Sequence, residues 1–169
     1  NGYTKNYSTK GEEVTIMMAL DRLLNSKTTL IVGQNILFDI SFLTKKYGII
    51  TRAKLADTMI GHHITYYDFP KGLDFICSIY AEEPYYKDEG KIWKNPNVKD
   101  EEFWGYNGKD ACVTMESWPR IEKEMETKKT RNTYEFTMEL LDVLLYMQMR
   151  GIKADRGRLA ETRKKVLEK

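Results

Sequence analysis

Cysteine, histidine and proline are scarce in this chain, which has two Cys, two His and four Pro among 169 residues. Cys77 and Cys112 lie far apart and match no metal-binding spacing, so the sequence predicts neither a disulfide framework nor a zinc site. We therefore expect a reducing intracellular setting. No apolar run approaches the length of a membrane span and no signal peptide is visible, so we expect no membrane partner.

Neither sign of charge dominates, because 27 Lys and Arg residues balance 25 Asp and Glu residues. The net charge of +2 neither requires a polyanionic partner nor excludes one. The composition, 41% hydrophobic and 31% charged, is typical of a globular protein, and the length favours a single domain. The chain begins with Asn1 rather than Met, which suggests a processed or excised piece of a longer protein.

Residues 30–43 predict a buried strand followed by a helix. The run at 30–32, Leu-Ile-Val, is typical of a strand buried on both faces, and apolar residues then follow at helical spacing up to Gly48. Asp39 is therefore expected at the carboxyl end of a strand, the edge where open α/β sheets bind their ligands. Because Asp favours helix N-caps, a purely capping role for Asp39 is the alternative.

The remainder of the chain predicts helices and one more strand. The strand is expected at 54–57, and Asp57 after it is expected to cap the next helix. His62 and His63 are expected to be surface or packing residues rather than ligands. The predicted helices lie at 9–25 with Thr9 as N-cap, 59–63, 73–80, 101–125 with a break or kink at Pro119, 131–150, and 155–169 capped by Asp155.

Two short motifs in the sequence each end in an aspartate. Asn35, Phe38 and Asp39 form an Asn-x-x-Phe-Asp motif after the strand, and Tyr106 and Asp110 form a Tyr-x-x-x-Asp motif on one helix face. These resemble the second and third exonuclease motifs of the DEDD superfamily of 3′–5′ exonucleases, in its tyrosine-type (DEDDy) branch. The chain is similar to the proofreading domain of family A, polymerase-I-like DNA polymerases, phage or virus types included.

The resemblance implies an α/β, ribonuclease H-like 3′–5′ exonuclease fold, N-terminally truncated and followed by a long helix. Residues 133–155 are similar to the helix that leads from this exonuclease into the polymerase domain. The implied organisation is a partial exonuclease domain at 1–130 and the helical start of the polymerase domain at 131–169. The rest of the polymerase chain is then an expected partner.

The resemblance also assigns roles in a two-metal hydrolysis. Asp39 and Asp110 would be catalytic metal ligands, and Tyr106 would orient the attacking water. Two divalent ions about 3.5–4 Å apart activate water and stabilise the leaving oxygen in such sites. Mg²⁺ or Mn²⁺ would be the cofactor, since hard cations need oxygen ligands. The substrate would be the single-stranded 3′ end of DNA.

The polar loop at 84–100 combines aromatic and basic residues that suit single-stranded nucleic acid, by stacking and phosphate contact. An ordinary polar loop with half-buried tyrosines is the alternative. Asn35 and Phe38 join the loop residues as candidates for substrate binding. The loop candidates are Tyr85, Tyr86, Lys87 and Lys91.

The family's first motif, Asp-x-Glu on a strand before residue 35, is missing. We therefore expect the isolated chain to be inactive and to self-associate through an exposed strand edge. Two other functions stay open: a free-standing ribonuclease-D-like exonuclease, and a catalytically degenerate scaffold with the exonuclease fold. The helix at 131–150 and its Gly-Ile-Lys-Ala-Asp ending favour the polymerase.

Overall fold

The structure, a computed structural model, describes residues 10–83, 86 and 99–167. The predicted cap Thr9 and most of the predicted polar loop lie outside this part of the chain. The helices and strands within it are α1 (Lys10–Leu24), β1 (Leu30–Gly33), α2 (Ile36–Tyr47), β2 (Lys54–Asp57), α3 (Thr58–Thr65), α4 (Leu73–Tyr80), α5 (Asp100–Lys128), α6 (Arg131–Arg150) and α7 (Arg156–Leu167).

The two strands pair in parallel, with Leu30 opposite Lys54 and Gly33 opposite Asp57. Successive side chains of a strand point to opposite faces, and a hydrophobic cluster packs against each face of the pair. On one face Ala56 packs with Trp118 and Ile121 of α5. On the other face Ile31 and Leu55 pack against a cluster formed by Leu24, Ile36, Ile40, Ile49 and Leu141. The predicted strand is confirmed, but its burial is only partial, because Leu30 is 41% exposed and Ile31 and Val32 are half-buried.

Helix α5 contacts β1, α3, α4 and α6. Its approach to α3 depends on Gly61, where an added Cβ would lie 2.9 Å from Ile121 Cγ2. That separation is too short for a real Cβ, so a larger residue would push the two helices apart. Helix α5 continues through Pro119, so the expectation of a break is wrong, while the alternative of a kink stays a prediction.

Helix α6 covers the outer edge of β2. The backbone N–H of Asp57 donates to the hydroxyl of Tyr134 at 2.9 Å, so a side chain replaces the strand that would otherwise bond there. Tyr134 belongs to the cluster on one face of the sheet, Leu141 to the cluster on the other, and Met138 packs against both. Within the described residues, β2 is the only strand paired with β1, so the other edge of β1 has no strand neighbour.

The predicted apolar faces of the helices are only partly buried. In α1, Leu24 is buried, whereas Ile16 and Leu23 are about half exposed, at 48% and 50%. The sequence of α6 has two neighbouring apolar stripes at helical spacing. Tyr134 and Leu141 of the first stripe are buried, but the second stripe is exposed. We call this second stripe the outer stripe; it consists of Phe136, Leu140, Leu144 and Met147.

The architecture is a helix-rich α/β fold with a small parallel sheet, which agrees with the predicted α/β class. The side chain of Asp155 caps α7 by accepting from the backbone N–H of Arg158 at 3.1 Å, as predicted. Every residue of α7 is exposed. None of the helices in the described part of the chain is long and apolar enough to cross a membrane.

Candidate active site

Asp39 lies in the first turn of α2, directly after β1, as the sequence predicted. It is not the helix cap: Asn35 occupies that position in the left-handed conformation, with φ 59° and ψ 48°. Asp39 is exposed. Partial desolvation raises the pKa of Asp39, a hydrogen bond to its own backbone N–H opposes the rise, and the charge of Asp57 adds to it.

Asp57 caps two helices at once. Its side chain accepts from the backbone N–H groups of Met59 and Ile60 at the start of α3, at 2.8 and 3.1 Å. It also accepts from Asn35 and Ile36 at the start of α2, at 3.2 and 2.8 Å. Burial raises the pKa of Asp57, and the four N–H donors act in the opposite direction. The predicted cap of α3 is confirmed. Because the same carboxylate also binds the N-terminus of α2, Asp57 helps to position the helix turn that carries Asp39.

Tyr106 and Asp110 lie one turn apart on α5 and share a contact, Tyr86. The hydroxyl of Tyr86 donates to Asp110 Oδ1 at 2.6 Å. The rings of Tyr86 and Tyr106 meet edge to face, with 5.7 Å between centroids. The two tyrosines form a buried cluster with Cys77 and Val113. The prediction that Tyr106 and Asp110 share one helix face is therefore confirmed.

Tyr86 differs from its prediction as a residue that stacks on nucleic acid. Only 3% of Tyr86 is exposed, so in this structure its ring offers no face to a base. Burial and the hydrogen bond to Asp110 raise the pKa of its hydroxyl, which keeps that group a donor. The remaining loop candidates, Tyr85, Lys87 and Lys91, lie outside the described residues. Phe38 is 69% exposed and Asn35 is also exposed, so both are accessible to a ligand.

The structure places Tyr106 and Asp110 together on α5. It places Asp39 on α2, where the charge of Asp57, at the end of β2, acts on it. Helix α5 packs against β1, the strand that leads to Asp39. The convergence of Asp39 and Asp110 on one cleft stays a prediction. Their carboxylates have the hard oxygen chemistry that Mg²⁺ and Mn²⁺ require, so the donor type fits. Further donors would be needed, since the described residues contain no cluster of three or more His, Cys, Asp or Glu side chains suited to a metal.

His62 lies in the interior, as expected for a packing residue. It is fully buried, and its Nδ1 lies 3.2 Å from the hydroxyl of Tyr80. The rings of Tyr66, Phe75 and Tyr80 surround it at centroid distances of 5.9, 5.8 and 5.6 Å. Burial lowers the pKa of His62, so this histidine favours the neutral form and serves the core. His63 is exposed.

Sequence reasoning missed two contacts that shape the site. The bond from Tyr86 to Asp110 spans 24 residues, and the bonds from Asp57 to the start of α2 span 21 and 22 residues. Local spacing carries no signal for contacts of this range. The residues themselves were visible, Asp57 as a cap and Tyr86 as an aromatic in a polar loop, but their partners were not.

In a comparison with protein-family models, residues 4–126 match a family described as 3′-5′ exonuclease. The matched region contains both predicted motifs, Asp39 in one and Tyr106 with Asp110 in the other. A search among curated proteins gives no match. The family model covers well over half of the chain, so this chain belongs to the 3′–5′ exonuclease domains of family A polymerase-like proteins.

Proposed function

We propose that this chain is part of the proofreading exonuclease of a family A DNA polymerase, that the full protein hydrolyses 3′-terminal nucleotides of DNA, and that the isolated chain is inactive. The observation that carries the proposal is the arrangement on α5. Tyr106 and Asp110 share one face, and a buried tyrosine holds the carboxylate of Asp110 at 2.6 Å. This arrangement lies inside the region that matches the exonuclease family.

Asp110 and Asp39 are the residues that would hold divalent ions, Mg²⁺ or Mn²⁺. Bound at such a site, the ions activate a water molecule and stabilise charge on the leaving oxygen. The role proposed for Tyr106 is to orient that water through its hydroxyl. The exposed side chains of Phe38 and Asn35, on the turn before Asp39, are proposed to contact the DNA end.

We also propose a ribonuclease H-like sheet and a polymerase domain that begins in the region 131–169. The parallel pairing of β1 with β2, and the edge of β1 that has no strand neighbour in the described chain, support a larger sheet. The family match ends at residue 126, before α6. The exposed outer stripe of α6 supports further protein packing there, because an apolar stripe of this size favours burial.

The test is hydrolysis of 3′-labelled single-stranded DNA with Mn²⁺ by the full natural protein. We expect Asp110→Ala to reduce kcat/KM to background, because a metal ligand is lost. Tyr106→Phe is expected to slow hydrolysis with Mn²⁺ affinity retained, since only the water contact is removed. The losses from Asp39→Ala and Asp110→Ala are expected to be non-additive, because both residues serve one cluster.

Glu126→Ala is the matched control, because Glu126 is an exposed carboxylate on the same helix, α5. It should retain wild-type hydrolysis. Asp110→Ala should also lower the free energy of unfolding by about 1.5–3 kcal/mol, the usual contribution of a hydrogen bond to a charged group. Wild-type turnover in Asp110→Ala would refute the assignment of Asp110.

A further inference from the structure

We propose that Tyr86 is a positioning residue of the exonuclease site, whose hydroxyl orients the carboxylate of Asp110 and whose ring seats Tyr106. The inference rests on the proposed function, because it assigns Asp110 and Tyr106 to the reaction. It concerns a residue of the α4–α5 segment, which the motifs on α5 do not include.

The geometry gives Tyr86 two separate contacts with the site. Its hydroxyl lies 2.6 Å from Asp110 Oδ1, a short hydrogen bond to a carboxylate. Its ring meets the ring of Tyr106 at an angle of 66°, the edge-to-face arrangement that aromatic pairs prefer. One residue thus contacts both members of the Tyr-x-x-x-Asp motif.

Because Tyr86 is buried, its ring and hydroxyl are held in fixed positions next to Tyr106 and Asp110. Tyr86 is 3% exposed and packs with Cys77 and Val113, so its ring is held in place by neighbours on α4 and α5. The ammonium of Lys109 lies 5.4 Å from the centre of the ring, within the range of a cation–π contact. A fixed donor restricts the rotation of the carboxylate to which it donates.

The hydrogen bond from Tyr86 does not use all the lone pairs with which a carboxylate can accept hydrogen bonds or bind a cation. An ionised carboxylate has about four lone-pair sites on its two oxygens, so it can accept from Tyr86 and still bind a cation. Outer partners of this kind orient metal ligands, and their removal typically lowers metal affinity or activity by about 10- to 100-fold.

The experiment compares Tyr86→Phe with Tyr66→Phe in the full natural protein. Both substitutions remove one hydroxyl that donates to a carboxylate of α5: Tyr86 donates to Asp110, and Tyr66 donates to Glu124 Oε2 at 2.7 Å. Only the first bond touches the proposed site. Mn²⁺ affinity is measured without DNA by electron paramagnetic resonance of free Mn²⁺, and kcat and KM are measured on single-stranded DNA. Urea denaturation of both variants checks their folding.

We expect Tyr86→Phe to weaken Mn²⁺ binding by about 10- to 100-fold, as loss of an outer partner does elsewhere. Its kcat should recover in part at high Mn²⁺, because Asp110 remains present. Tyr66→Phe should match the wild type in Mn²⁺ affinity and kcat. Equal Mn²⁺ affinity in Tyr86→Phe and the wild type would overturn the inference.

Tighter Mn²⁺ binding by Tyr86→Phe would also overturn it, because the hydroxyl would then compete with the ion for Asp110. Failure of the proposed function has a different signature: Asp110→Ala itself would leave Mn²⁺ binding and hydrolysis unchanged. In that case both proposals fail. Where Asp110→Ala abolishes both readouts and Tyr86→Phe alters neither, only the inference about Tyr86 fails.

Discussion

At the residue scale, the carboxylate of Asp57 lies between the N-termini of α2 and α3 and accepts backbone hydrogen bonds from both. Three of its four donors bond to Oδ1, and the N–H of Ile36 bonds to Oδ2. We expect Asp57→Asn to retain the bonds to one oxygen and to set its amide nitrogen against the Ile36 N–H. The free energy of unfolding should fall by about 1–3 kcal/mol, because a buried donor is left unsatisfied.

Asp155→Asn is the matched control for this measurement by urea denaturation. Asp155 also caps a helix, but its side chain is 65% exposed and water can replace the lost oxygen. Asn and Asp are similar as N-caps, so we expect little change there. Equal stability of Asp57→Asn and the wild type would contradict the double-cap interpretation.

At the element scale, α6 closes the β2 edge through the hydroxyl of Tyr134, which accepts from the Asp57 N–H at 2.9 Å. Burial is the main cause that raises the pKa of Tyr134, to about 12, so the group stays a neutral phenol. We expect Tyr134→Phe to lower the free energy of unfolding by about 1–3 kcal/mol, because the strand N–H loses its acceptor. Tyr146→Phe, on the exposed side of the same helix, should change stability little. Equal losses in the two variants would contradict this role.

At the scale of the whole molecule, two surfaces lack a partner within the described residues: the backbone edge of β1, which has no strand neighbour, and the apolar outer stripe of α6. An open strand edge favours pairing between chains. We expect residues 1–169 to self-associate with rising concentration, as measured by light scattering. Leu30→Lys, at the 41% exposed start of β1, should reduce this association if the edge carries it.

Two substitutions complete the test of self-association. Leu144→Lys places a charge on the outer stripe of α6. If this substitution reduces self-association and Leu30→Lys does not, the chains associate through α6 rather than through the edge of β1. Leu159→Lys is the control, since Leu159 is an exposed apolar residue of α7, at 63%, away from both surfaces. A monomer at every concentration would contradict the expectation.

The sequence by itself determined the elements that local pattern controls. Both strands, the helix stop at Gly48, the cap at Asp155 and the bounds of α6 follow from apolar periodicity and capping residues, which act over a few positions. The two exonuclease motifs are also local, since Tyr106 and Asp110 lie one helical turn apart. The family followed from their residue types and order, and the match over residues 4–126 agrees.

Only the tertiary structure decided how these elements meet. The bond from Tyr86 to Asp110, the reach of Asp57 to α2 and the closure of β2 by Tyr134 join residues 21 to 77 positions apart. Such contacts depend on which helix packs on which strand, and no local spacing encodes that choice. The same reason explains α6: its sequence has two apolar stripes at helical spacing, but the neighbours of the helix decided that one has buried residues and the other is exposed.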